Sequence, residues 1–374
     1  MHSMARFKIA VAATLIGLSA CKDSSLQPIL APTQKGTVVL NGFGLQGATL
    51  ANDTTSATTR IPFGAAFDGS TSSIASDTLL TTSSKAGGDL LYVASLASGT
   101  LKTVQMPAGS NPAGALLFGA TTAQIAVALR DSQAVALVTN LSSATPTVTL
   151  LRNAGTCPVR VFAYDGELWV LDANQRCRTD YAVLGPSRLI HVPLVGTVRD
   201  TINLGVTVLG ATSVVVKGDI AVVAGGGQVN FATVPATLVQ GGTLVQVNMA
   251  GKAVIATAPT PAGSFGTTIS LGKDGFLYTF VYADAATFVG RTMKVDFNAL
   301  QAVGPQILGS AYLSLRHADS TLVNCAAVAG DIRGRIYCPE NGAGSAATLY
   351  VYNLAGVLIR TIPAGQGAVD VGVR

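Results

Sequence analysis

The sequence predicts an all-β protein assembled from repeated four-stranded antiparallel units, and three observations predict it. Glutamate occurs only at Glu167 and Glu340 while Val, Thr, Ser and Gly abound, which disfavours long helices by propensity and by solvation. A short apolar strand recurs, anchored at Leu91, Ile125, Leu168, Ile220, Leu277 and Ile336, in steps of 34, 43, 52, 57 and 59 residues. Turn residues that accept positive φ precede the anchors: Gly88-Asp89, Asp165-Gly166, Gly218-Asp219, Asp274-Gly275 and Arg333-Gly334, with Thr121-Thr122 the exception. The composition agrees, because 49% apolar and 11% charged residues fit a sheet protein that buries many small side chains.

Each unit reads as a short apolar strand, a Gly/Asp turn, a strand such as Leu90 to Val93, a loop, and two further strands joined by a tight turn. The step lengths suit one four-stranded propeller blade with loops of varying size. Outer hairpins are legible at Leu244 to Met249 with Ala253 to Thr257, and at Leu349 to Leu354 with Val357 to Ile362. At the ends of the chain, Thr37 to Phe43, Ala48 to Ala51 and Thr59 to Phe63 read as second, third and fourth strands lacking a first, which Ala368 to Val373 supplies. Joining them makes a seventh blade and removes an exposed sheet edge. The unit around Leu91 shows no clear outer strand between Met106 and Pro112, so six blades is the other count. These units resemble the blades of bacterial β-propellers of the NHL and YVTN-repeat type, over roughly Gly36 to Arg374. The resemblance implies a ring closed by N- and C-terminal strands in one blade, and it specifies the fold and little else.

Ahead of this domain, Arg6 and Lys8 precede an apolar run, Ile9 to Leu18, that ends in Leu18-Ser19-Ala20-Cys21. That last run resembles the lipobox of bacterial lipoproteins, and its apolar stretch is too short to span a bilayer. The resemblance implies a signal peptide over 1–20, a lipidated Cys21 with a polar, Pro-containing tether over 21–35, and the propeller domain over 36–374. Lys22, in place of Asp, after the cysteine implies the outer membrane in diderm bacteria. The expected protein is therefore exported and anchored in the cell envelope, touching the membrane through its lipid alone.

Loss of Arg6 and Lys8 leaves 22 basic and 19 acidic residues, a net of +3, and the basic residues are scattered or paired, as at Arg176/Arg178 and Arg333/Arg335. Phosphate-backbone binding needs a clustered patch, so no nucleic-acid partner is expected. Four cysteines follow Cys21, an even number in an exported chain, and two disulfides are expected. Aligned on the blades, Cys157 pairs with Cys177 and Cys325 with Cys338, each bridge pinning a loop between second and third strands. Zinc is the rival use, but the sequence holds no Cys-x-x-Cys and the mature chain keeps only His191 and His317.

The chemistry-bearing motifs are few. Gly42-Phe-Gly44-Leu-Gln-Gly47 matches a dinucleotide fingerprint, yet Ala48 to Ser56 has no helical period to receive a pyrophosphate, so a glycine-rich hairpin is expected. Gly225-Gly226-Gly227 lacks the Lys-Ser/Thr of a phosphate cradle, no Gly-x-Ser-x-Gly occurs, and His191 sits in a third-strand pattern. Propeller lactonases hold a metal on side chains converging in the central channel, whereas the first strands here, Val159 to Ala163, Ser213 to Val216, Thr267 to Leu271 and Ala326 to Ala329, read as apolar or small. No cofactor is expected. The long loops of three successive blades offer Arg176, Arg178, Tyr181, Asn230, Phe231, Tyr282 and Arg291, residue types that carry binding energy at interfaces. The expected function is a binding or scaffold module for an envelope protein or ligand, working on its loop face. A metal-dependent propeller hydrolase or lactonase and a purely structural envelope lipoprotein are the alternatives.

Overall fold

A computed structural model describes residues 36–374 apart from 45, 53, 66, 70, 84–88, 120–122, 178–181, 195–199 and 343–345. The expected signal peptide, Cys21 and the expected tether lie outside the described residues, as do Arg178, Tyr181 and Thr121-Thr122.

Seven four-stranded antiparallel sheets form a ring, and none of the described residues is helical. In chain order, blade 1 comprises Ser72–Ala75, Thr78–Ser83, Leu90–Ser95 and Leu101–Gln105, and blade 2 Pro112–Phe118, Gln124–Leu129, Ala134–Thr139 and Thr147–Arg152. Blade 3 comprises Pro158–Tyr164, Glu167–Asp172, Arg188–His191 and Thr201–Asn203, and blade 4 Ala211–Lys217, Ile220–Gly225, Thr243–Asn248 and Ala253–Pro259. Blade 5 comprises Phe265–Leu271, Leu277–Tyr282, Gly290–Val295 and Ala302–Val303, and blade 6 Ala329–Gly330, Ile336–Asn341, Ala346–Tyr352 and Leu358–Gln366. Blade 7 closes the ring: Ala368–Val373 is its first strand and Thr37–Asn41, Gly47–Ala51 and Thr58–Pro62 follow outward.

Why most second strands are rich in apolar residues follows from their position, since each is sandwiched between two neighbouring blades. In blade 2, Ile125, Val127 and Leu129 pack toward blade 1 against Leu80, Leu91 and Val104. The alternate residues Ala126 and Ala128 face blade 3, against Val161, Leu168 and Val170. The same exchange repeats around the ring, through Leu171 and Val223 between blades 3 and 4, Val222 and Leu277 between 4 and 5, Tyr278 and Ile336 between 5 and 6, Tyr337 and Val39 between 6 and 7, and Leu40 and Leu79 between 7 and 1. Burying such a side chain fully contributes about 1.5–3 kcal/mol, so the core is distributed around the ring.

Five anchors, Ile125, Leu168, Ile220, Leu277 and Ile336, lie in second strands as the repeat predicts, but Leu91 lies in the third strand of blade 1. The first hairpin of that blade turns at Ser76-Asp77, with Ser76 at φ 53°, and Asp89 instead precedes the third strand. Thr78–Ser83 escapes a search for apolar strands because four of its six residues are Thr or Ser, and their hydroxyls bond within the protein, as in Thr81 Oγ1 to Thr71 O at 2.8 Å and Thr82 Oγ1 to Ala113 O at 2.9 Å. Leu101–Gln105 is thus the outer strand, and the count is seven. The Gly42–Gly47 run is a strand-to-strand connection. Both disulfides pair as expected, Cys157–Cys177 with Cα atoms 5.6 Å apart and Cys325–Cys338 with Cα atoms 5.2 Å apart. Cys325, however, precedes its blade's two-residue first strand, and Cys338 lies inside the second strand.

Candidate functional site

The antiparallel order assigns every connection to one of two faces. Turns between first and second and between third and fourth strands lie on one face, with the ends of the domain, where Arg374 N donates to Gly36 O at 3.0 Å. Loops between second and third strands, and crossings from blade to blade, lie on the other. Every expected binding residue that the structure describes belongs to this loop face or its rim.

On blade 4 the long loop after Ile220–Gly225 contains a short hairpin, Gln228–Asn230 with Thr237–Gln240. Asn230 organises its tip, accepting from Ala232 N at 2.9 Å, and Phe231 stands out with 67% of its surface exposed. The Phe231 ring stacks on Phe288 from blade 5, centroids 6.4 Å apart and planes 15° apart. Phe288 meets Phe265 and Tyr282 edge-on at 5.5 and 5.6 Å, and Tyr282 meets Phe280 edge-on at 5.1 Å. Such pairs add about 0.5–1.5 kcal/mol beyond area burial. Phe288 holds φ 54°, a left-handed conformation unusual for an aromatic residue, at the end of a loop organised by Asp284. The Asp284 carboxylate accepts from Thr287 N at 2.8 Å, Ala286 N at 2.7 Å and Thr287 Oγ1 at 3.1 Å, and these hydrogen bonds hold its pKa below the ordinary value. The loop is thereby shaped to present Phe288, which stays 44% exposed.

The structure thus unites the loop aromatics Phe231, Tyr282 and Phe288 in one cluster and adds Phe265 and Phe280 from the first and second strands of blade 5. Arg291 is the second residue of the third strand of blade 5, and its Nη1 donates to Gly290 O at 3.1 Å. Arg176 is exposed on the blade 3 loop, beside Cys177. That loop is anchored by the fully buried Asp172, which accepts from Cys157 N at 2.7 Å and from Arg188 Nε at 3.0 Å.

Inside the ring, the first strands of six blades, with Asn324 to Val328 ahead of the first strand of blade 6, enclose a cavity of about 1020 Å³, with Phe43, Tyr282 and Phe288 at its loop-face mouth. Its wall is mostly small or apolar as expected, but Arg160 and Asp370 also line it. Arg160 Nη1 donates to Thr71 Oγ1 at 2.7 Å, and Asp370 Oδ2 accepts from Ser72 N at 2.6 Å and Ser72 Oγ at 2.8 Å. Burial raises the Asp370 pKa, opposed by the hydrogen bonds from Ser72. Burial lowers that of Arg160, opposed by Asp370 and assisted by Arg130. The only sequence signal was a lone arginine in Val159-Arg-Val-Phe162 and a lone aspartate in Val369-Asp-Val371.

Among the described residues, His191 and His317 each pair with a glutamate. His191 Nε2 lies 3.3 Å from Glu167 Oε2, cross-strand as its pattern predicts, and His317 Nε2 lies 2.6 Å from Glu340 Oε2 on the loop face. Among the described residues no three His, Cys, Asp or Glu side chains gather as metal ligands.

No family model matches the chain, and no curated protein matches it in sequence. Solved structures do match. A protein from Lactobacillus plantarum is 14% identical, with 91% of this chain and 99% of that one covered and a TM-score of 0.59. A candidate 6-phosphogluconolactonase from Bacteroides fragilis is also 14% identical, covering 93% of this chain and 99% of its own, with a TM-score of 0.59. A catalytically inactive virginiamycin B lyase from Staphylococcus aureus is 10% identical, covers 79% of this chain and 84% of its own, and has a TM-score of 0.51. At such identities the likeness is one of fold.

Proposed function

We propose that this chain is an exported propeller, tethered to a membrane by a lipid on Cys21, whose loop face binds a protein or ligand of the cell envelope. The observation that carries the reading is the aromatic cluster of blades 4 and 5, which leaves Phe231 and Phe288 exposed and stacked on one another from adjacent loops, each ordered by its own hydrogen bonds. Large exposed aromatics on an ordered platform are what an interface core requires, because little side-chain entropy remains to be lost on binding. Gly36 and Arg374, the two ends of the propeller, meet on the opposite face, where Arg374 N donates to Gly36 O at 3.0 Å. A lactonase reading rests on fold likeness alone.

The test is capture from solubilised envelope by full-length protein, comparing wild type with the double substitution Phe231→Ala and Phe288→Ala. Loss of the captured component, with thermal stability retained, supports the reading. Undiminished capture, or no specific capture by wild type, leaves a structural lipoprotein as the better account. Separately, Cys21→Ala should move the protein out of the membrane fraction, and persistent membrane attachment would refute the anchor.

A further inference from the structure

The channel poses a question independent of the loop face, namely what Arg160 does in its wall. Arg160 projects from the first strand of blade 3 and lies across blade 2 to reach blade 1. Its Nη1 donates to Thr71 Oγ1 at 2.7 Å and to Ala113 O at 3.4 Å, so both hydrogen-bond partners are neutral. Gly114 makes this reach possible: a Cβ there would lie 2.9 Å from Arg160 Cδ and 3.0 Å from Nη1. A guanidinium carries five N–H donors, and these two bonds leave most of them for the cavity. Asp370, from blade 7, is likewise held by neutral donors, Ser72 N, Ser72 Oγ and Val371 N. The two charges attract but do not close into a salt bridge, while Arg130 adds positive charge from the loop above. Protein surrounds both side chains, although each keeps a surface on the cavity.

A cation fixed against a cavity, with neutral partners and a second arginine nearby, forms an anion site. A planar fork selects a planar acceptor, and Asp370 beside it disfavours a doubly charged one. The adjoining wall includes Leu116, Val161 and Val214, which suits an organic body. Asp370 and Ser72 can engage a hydroxyl carried next to the acid group. We propose that the loop-face end of the channel binds a small organic monocarboxylate, its carboxylate on Arg160 and its polar substituent toward Asp370 and Ser72.

Calorimetric titration of the full-length protein in detergent with acetate, lactate, benzoate and inorganic phosphate tests this. Wild type should bind carboxylates in preference to phosphate, lactate more tightly than acetate. Arg160→Gln should weaken carboxylate binding by about tenfold or more. Gly114→Ala, which displaces the guanidinium without removing it, should weaken binding too, and ligand-induced shifts in melting temperature report binding for any variant of reduced stability. Absence of carboxylate binding by wild type, tighter binding of phosphate, or unchanged affinity in a folded Arg160→Gln protein would each overturn the proposal.

Discussion

The turn face satisfies its buried charges internally, whereas the loop face combines such closed pairs, as at Asp172 with Arg188, with braced side chains left open. On the turn face, Asp331 is fully buried and accepts from Arg333 N at 2.8 Å, Arg335 N at 2.9 Å, Arg333 Nε at 2.8 Å and Tyr337 Oη at 3.0 Å. Asp274 does the same for blade 5, accepting from Lys294 Nζ and Tyr278 Oη, both at 2.8 Å, while Lys294 lies over the Phe276 ring. Burial, with Asp274 beside it, pushes the Tyr278 phenol well above its ordinary range. These groups satisfy one another and fix hairpins. On the loop face, Phe231 and Phe288 stay exposed on a braced platform, and Arg160 meets the channel with neutral partners only. Side chains whose interactions close among themselves build the fold, whereas braced side chains left open are the ones available to a ligand.

Substitutions can break this contrast. The largest effect is expected at Asp331→Ala, which strands buried donors and should cost about 3–5 kcal/mol in denaturant unfolding while leaving capture by the folded fraction intact. Replacing either cysteine pair by serine should cost about 2–4 kcal/mol, read in the same assay. Asp370→Asn acts through pH. Because burial raises its folded-state pKa above the ordinary 3.8, the native state holds that proton more tightly than the unfolded chain, and stability falls as pH rises from 3.8 through the raised value. The Asn variant should lose that slope, and melting curves across the acid range check it. The smallest stability change, within about 0.5 kcal/mol, is expected for Phe231→Ala, whose effect belongs to binding.

The repeat was legible in sequence because second strands are buried on both sides and so read as uninterrupted apolar runs. Blade 1 was misregistered for the complementary reason: its second strand buries Thr81, Thr82 and Ser83, and its first turn uses Ser76-Asp77 in place of glycine. The disulfides were legible because blade alignment brings distant cysteines into equivalent places. The channel charges were not, because Arg160 and Asp370 meet only after the ring closes and each stands alone in an apolar strand. Likewise Phe231 and Tyr282 stood out as loop and rim aromatics, but the stacking that unites them through Phe288 depends on neighbouring blades.

The contrast between the faces can be read without any substitution, by hydroxyl-radical footprinting of the full-length protein in intact envelope against the detergent-purified protein. Protection should fall on Phe231, Tyr282 and Phe288, while Leu354 and Val357, exposed on the turn face, react alike in both states. Protection of Leu354 and Val357 with Phe231 and Phe288 unchanged would contradict the assignment of binding to the loop face.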